Sequence, residues 1–194
     1  MTGPRPTVGN LLVATPALLD PNFERTVVLL LDTDENGALG VVLNRPSGVL
    51  VGELLPDWRD LVTEPDVMFQ GGPVSTDSAL AVGLSAAVLG GRTDRDGDPV
   101  GFRRLYDDVG LVDLDTPTEV AGPGLSRLRV FAGYAGWGEE QLRGEIDEGA
   151  WYVVPSVRED LFATDPGALW TTVLRRQPGE LAWVSTRPAD PTLN

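Results

Sequence analysis

Asp32, Asp34 and Asn36, followed by Gly37, set three oxygen-bearing side chains on alternate positions, the opening of a loop that could encircle a calcium ion. The pattern then stops short. The closing position of such a loop falls on Leu43, which has no carboxylate to complete the shell. Alternating Asx residues and a glycine are also what a hairpin turn requires, and a turn is the expectation here. Asp94, Arg95, Asp96, Gly97 and Asp98 repeat that composition with poorer spacing and are read the same way. The stretch 133–138, GYAGWG, follows an apolar run and precedes a helical pattern, where backbone amides and a positive helix end could hold an anion. Its glycines stand in the reverse of the dinucleotide-binding order. Glu139 and Glu140 are expected in the first helical turn, where they would repel a phosphate. A tight corner joining strand to helix is the expected role.

Other chemistry is closed off by residue types the chain does not contain. Its 194 residues include no histidine, cysteine or lysine. No disulfide can form, no zinc site can be built from Cys or His, and no Ser-His-Asp or Cys-His machinery is possible. Acid–base work near neutral pH would fall to carboxylates of raised pKa or to tyrosine. The sequence therefore points to no catalytic residue, no metal and no cofactor.

Fifteen basic against 29 acidic side chains give a net charge of −14. Such a surface repels phosphate backbones, so direct nucleic-acid binding is not expected; the densest basic spots are the pairs Arg103–Arg104 and Arg175–Arg176. The first nine residues carry no apolar stretch of signal-peptide type, and no run reaches the length of a membrane span. A soluble, cytoplasmic protein with no membrane partner is the expectation.

The elements that must position any site are short and numerous, as 23 glycines and 16 prolines require. Strands are expected at 10–14, 26–31, 38–44, 67–70, 80–84, 102–106, 110–113, 128–134 and 150–154. The run 26–31 (TVVLLL) is apolar throughout, which predicts a strand covered on both faces, and 26–44 reads as a hairpin. Helices are expected at 51–62, 139–148 and 166–176. The last has Asp165 as its cap, Pro166 in its first turn and two arginines at its negative end. Ser156 and Glu159 have capping-box spacing. The chain reads as a single domain over 1–194, with 1–9 flexible and 85–101 an exposed loop.

Several blocks together resemble a known family. LLVATPALLDPNFERTVVLLL, GALGVVLNRP, FQGGPV, GYAGWGEEQLRGEI and the closing RPADPTLN, at compatible spacing from about Gly9 to Asn194, are similar to the YqgE/AlgH family of bacterial proteins. The resemblance implies an α/β fold of α+β type, a complex mixed and bifurcated β-sheet including a small closed barrel, flanked by helices. It also brings a label of transcriptional regulator but no catalytic residues. The chain departs from the family pattern at Thr33, where members often have histidine, and at Arg143, where a second glutamate is common.

Among the matching positions, the polar ones and their neighbours form the candidate ligand or partner patch: Asn44, Arg45, Gly71, Gly72, Trp137, Gln141 and Glu145. The loops 44–46, 71–73 and 136–137 each end an expected strand, and loop clusters at strand ends are where α/β proteins build sites. Convergence of these loops would join a cation, glycine-freed amides and an aromatic surface, with Gln141 and Glu145 on the adjoining helix. The competing expectation is that Arg45 or Arg25 pairs with Asp20 or Glu145 merely to pin loops together. The leading functional expectation is a non-catalytic regulatory or interaction protein, with a protein partner or a small polar ligand. The alternatives are a small-ligand binder or carboxylate-dependent hydrolase, and a DNA-binding regulator.

Overall fold

The computed structural model describes residues 6–86, 97–138 and 140–187. Strands β1 (Asn10–Ala14), β2 (Val27–Asp34) and β3 (Gly37–Val42) are followed by β4 (Pro46–Leu50), the short helix α1 (Val51–Leu54), β5 (Val67–Gln70) and β6 (Val74–Ser85). Then come β7 (Phe102–Tyr106), β8 (Val109–Val112), α2 (Thr118–Ala121), β9 (Leu125–Gly138), α3 (Gln141–Asp147) and β10 (Trp151–Pro155). Helices α4 (Arg158–Leu161), α5 (Leu169–Arg175) and α6 (Glu180–Val184) complete the order.

The strands join in one sheet of order β10-β1-β2-β3-β9-β6-β8-β7, with β4 and β5 branching from it. Strand β9 is the spine. It runs antiparallel to β6 over most of its length, to β3 through its last four residues, and parallel to β5 at Phe131 and Ala132. The sheet is thus mixed and bifurcated, and it curls as a half-barrel with helices against it.

Alternation along β1 and β2 explains the layers. Leu11, Val13, Val27, Leu29 and Leu31 join the cluster that contains Leu169, Trp170, Val173 and Leu174 of α5. Leu12, Ala14, Val28 and Leu30 join the opposite cluster, with Leu142 of α3, Trp137 and Trp151. The uniformly apolar run at 26–31 is therefore a strand buried on both faces, as its composition predicts. A third cluster, around Trp58, Met68, Phe102 and Leu128, fills the curl on the β7–β8 side.

The helical expectations need correction. The 51–62 pattern yields only α1 and a 3-10 turn at Pro56–Trp58, since Pro56 cannot donate to a continuing ladder. The 166–176 helix is a 3-10 turn at Pro166–Ala168 that leads into α5, and Asp165 caps it by accepting from the Ala168 amide. Arg176 does more than face a helix end, because its guanidinium grips the buried Asp160 at 2.5 and 2.6 Å. The box expected from Ser156 and Glu159 is displaced by one residue. Asp160 accepts from the Val157 amide at 2.8 Å, while the Ser156 hydroxyl donates to the Gly9 carbonyl at 2.6 Å. Strand β4 and helices α2 and α6 lie where the sequence pattern predicts no element. The expected exposed loop at 85–101 lies largely outside the described residues, as does the 94–96 part of its acidic cluster.

The 32–37 segment is the turn it was expected to be. Asp34 Oδ1 accepts from the amides of Asn36 and Gly37 at 2.7 and 3.1 Å, and the Asn36 side chain donates to Oδ2 at 3.2 Å. These bonds, the Asn36 side chain's first, hold the Asp34 carboxyl below its ordinary range. Its lone pairs are engaged with the turn itself. Calorimetry is expected to give no saturable heat with calcium up to about 1 mM, the weak end of protein calcium sites. Tighter binding that Asp34→Ala abolishes would contradict this.

Candidate functional site

The loop that connects β1 to β2 and the end of β3 are built for each other. Residues 16–25 fold over the sheet through turns in which the Asp20 carbonyl accepts from Phe23 and Glu24, and Asp20 Oδ1 accepts from the Asn22 amide. Asn44, just past β3, reaches over to the start of β2: its Oδ1 accepts from the Val27 amide at 2.9 Å and its Nδ2 donates to the Arg25 carbonyl at 2.8 Å. Both arms of its amide substitute for a missing strand partner. Arg45 donates to the carbonyls of Asn22 at 2.7 Å and Glu24 at 3.2 Å. Arg45 is therefore a loop pin, but through carbonyls and not through the expected carboxylates. Arg25 likewise meets neither Asp20 nor Glu145; it stacks 4.0 Å over the Trp170 ring and donates to the Arg187 carbonyl.

The pin leaves Arg45 half-buried at the mouth of a cleft of ≈ 420 Å³. Asn22, Val42, Ser47, Val49, Leu54, Met68, Gln70, Gly72, Pro73, Thr76 and Ala132 complete its lining. Gly72 belongs there for a steric reason. Its φ is +156°, and a Cβ on it would stand 2.2 Å from the Tyr134 carbonyl, so no larger residue lets the 71–73 turn lie against β9. Gly71 is equally confined, with the Gly133 carbonyl 2.2 Å from where its Cβ would be, but it does not line the cleft.

The remaining members of the candidate patch lie elsewhere. Trp137 projects into the cluster beside α3, 5% exposed, its ring 5.9 Å from those of Phe23 and Trp151. Glu145 organises this group. Its Oε2 accepts from the indole nitrogens of Trp137 at 2.9 Å and Trp151 at 2.8 Å, and its Oε1 accepts from Gln141 at 2.9 Å. Gln141 in turn accepts from the Gly138 amide at 3.1 Å, closing the connection between β9 and α3. Neither Trp137 nor Gln141 nor Glu145 lines the Arg45 cleft. The structure thus divides the seven residues. Arg45 and Gly72 share the cleft, Asn44 and Gly71 support its walls, and Trp137, Gln141 and Glu145 form a separate polar-aromatic knot.

The 133–138 stretch also corrects the expectation of a corner that opens a helix. It lies within β9, and Gly133, at φ +70°, falls where the pairing with β6 is interrupted by a register shift, between Ala132 opposite Ala79 and Tyr134 opposite Val74, just before β9 takes up β3 at Ala135. Helix α3 starts at Gln141, so Glu140 precedes it instead of occupying its first turn; Glu139 lies outside the described residues. The side chains that sequence reasoning missed are the apolar walls of the cleft, Val49, Leu54 and Met68 together with Thr76. Val49 and Leu54 carry a signal only in retrospect, as large hydrophobics left 39% and 61% exposed.

Comparison with known proteins is decisive about kinship. A family model described as AlgH-like matches residues 11–182. The chain belongs to the AlgH-like family. It is 58% identical to a UPF0301 protein of Streptomyces coelicolor over 100% of this chain and 98% of that one. A UPF0301 protein of Mycobacterium leprae is 41% identical across 98% and 92% of the two chains. Among solved structures, a Corynebacterium diphtheriae protein superposes with a TM-score of 0.86 at 34% identity, covering 96% of this chain and 95% of that one. The AlgH protein of Pseudomonas aeruginosa superposes with a TM-score of 0.66 at 25% identity, covering 97% of both. The AlgH-like fold thus accounts for the whole sheet, and the blocks that carry the resemblance are those that pin the 16–25 loop and build the α3 knot. Among the described residues, no helix is long and apolar enough to cross a membrane.

Proposed function

We propose that this AlgH-like chain is a non-catalytic interaction protein that binds its partner at the Arg45 cleft. The observation that carries the reading is the chemistry of the lining. Arg45 is its one charged side chain among the described residues, and apolar groups, amide side chains and hydroxyls make up the rest. The described lining includes no carboxylate to serve Ser47 or Thr76 as a base, and the chain has no histidine, cysteine or lysine to take that role. Such a lining can recognise and hold but has no group to move a proton near neutral pH. Its volume falls in the range of ligand pockets, and a mostly apolar wall with few polar groups is the usual composition of a binding site.

The net charge of −14 supports a partner other than nucleic acid. The two densest basic pairs are also partly spent, Arg104 on Asp98 and Arg176 on Asp160. A cytoplasmic setting accords with the lack of cysteine.

Capture from native lysate, with mass spectrometry of retained proteins and small molecules, tests the reading when wild type is compared with Thr76→Trp. Thr76 is exposed, lines the cleft and makes none of the hydrogen bonds of the Arg45 pin, so an indole there is the substitution chosen to fill the cleft. The expected outcome is a component held by wild type and lost from the blocked variant. Identical retained sets would overturn the assignment of binding to this cleft.

A further inference from the structure

We propose that the cleft takes a short apolar segment of a partner protein, with a carboxylate of that segment set against Arg45. This deepens, and rests on, the reading of the cleft as the binding site. Charge supplies the first argument. In a chain with 29 acidic and 15 basic side chains, the described lining holds an arginine and no carboxylate. A guanidinium has five N–H donors. Arg45 directs one from each terminal nitrogen to the carbonyls of Asn22 and Glu24, which fixes its plane and leaves further donors for an incoming anion.

The rim supplies the second argument. Val49, Leu50, Leu54 and Val74 are 39%, 43%, 61% and 36% exposed, and they lie in the cleft wall or next to its residues in the chain. That is four of the seven large hydrophobics left exposed among the described residues. Apolar surface concentrated in one place marks an interaction site. It extends beyond the cleft itself, further than a small free acid would cover, and a peptide is the occupant that spans it.

Backbone geometry decides how the peptide is held. Strand β4 forms this rim and, among the described residues, pairs on one side only, with β5. Its register shifts between Pro46 and Leu50, and the Val49 amide is already engaged by the Ser47 hydroxyl at 3.2 Å. A proline and an irregularity of this kind blunt an edge against strand addition. The segment therefore docks through side chains, an apolar one in the cleft and an acidic one at Arg45.

Amide spectra of the ¹⁵N-labelled full chain test the proposal with two pools of blocked peptides, Ac-Ser-X-Asp-X-Ser-NH₂ and its Asn counterpart, where X is Leu, Ile, Val, Met or Phe. The Asp pool is expected to shift amides of residues 47–50 and 72–76 at concentrations about tenfold lower than the Asn pool, the effect of one charge-assisted hydrogen bond. Arg45→Lys keeps the charge but loses the fork, and is expected to weaken the Asp pool about fivefold. Thr76→Trp is expected to abolish both responses while the rest of the spectrum is unchanged. Isocaproate, a free apolar acid, is expected to bind about tenfold more weakly than the Asp pool, because it leaves the rim uncovered. Equal response to the two pools would overturn the carboxylate, although the cleft would still be a binding site. Isocaproate as effective as the Asp pool would replace the peptide with a small acid. Millimolar Asp pool without shifts in the cleft would overturn the peptide proposal, while the lysate comparison remains a separate test of the cleft.

Discussion

Replacing Arg129 with alanine is expected to cost about 3–5 kcal/mol of stability, the range of large core truncations. Arg129 lies in the middle of β9 at 1% exposure, and its hydrogen-bond acceptors among the described residues are carbonyls, not carboxylates. Its terminal nitrogens donate to three carbonyls: Leu161 at 3.1 Å, Ala163 at 3.3 Å and Glu64 at 2.8 Å. The guanidinium stacks 4.3 Å over the Phe69 ring, and its Nε has no hydrogen-bond partner among the described residues. Burial, with Arg127 as a lesser cause, pulls its pKa down to about 10, so the group remains charged at pH 7. The folded value lies below the unfolded one. The unfolded chain therefore holds the proton more tightly, and the cost of burying the charge is fully present below pH 10.

What offsets that cost is the connection of three remote segments through one side chain. Arg129→Met keeps the volume and removes the charge but strands the three carbonyls, and is expected to lose about 1–3 kcal/mol. Urea unfolding measures both. The Met variant's deficit is expected to be flat between pH 6 and 9, since Arg129 does not titrate there. A Met variant as stable as wild type would mean that the carbonyl bonds contribute nothing net, as with some buried ion pairs replaced by apolar residues.

Glu145→Ala carries the second large effect, an expected loss of about 2–4 kcal/mol, because two buried indole N–H groups lose their acceptor. The half-buried position of Glu145 lets water recover part of the cost. Glu145→Gln keeps an oxygen for the indoles but loses the charge, and is expected to cost about half as much. Chemical unfolding gives the stability, and tryptophan emission reports the change around Trp137 and Trp151. Partner capture by Glu145→Gln is expected to match wild type. Unchanged stability with lost capture would return Glu145, with Trp137 and Gln141, to the functional site.

The difference between what sequence reasoning reached and what it missed is one of range. Strands such as 10–14, 26–31 and 67–70 were legible because burial on one or both faces leaves a local apolar pattern. The hairpin turn at Asp34 was legible because its bonds span two or three residues. Arg129 was not, since its acceptors come from residues 32 to 65 positions away and an isolated arginine in LRVFAGY carries no sign of them. GYAGWG reads as a corner because glycines usually mark chain reversal. Here they lie inside one long strand that takes up β3 in its last four residues. Strand β4 was hidden by Pro46 and Gly48, residues tolerated because β4 is an edge strand. The candidate patch was half legible. Its motif residues cluster in sequence blocks, but only topology sends Arg45 and Gly72 to one cleft and Trp137 and Glu145 to another place.

That division is the central claim, and hydrogen exchange with and without the captured partner tests it most directly. Binding at the Arg45 cleft requires slowed exchange at residues 45–50 and 70–76, with 137–147 unchanged. Protection confined to 137–147, with the cleft segments unaffected, would contradict the account and place recognition at the tryptophan–glutamate knot.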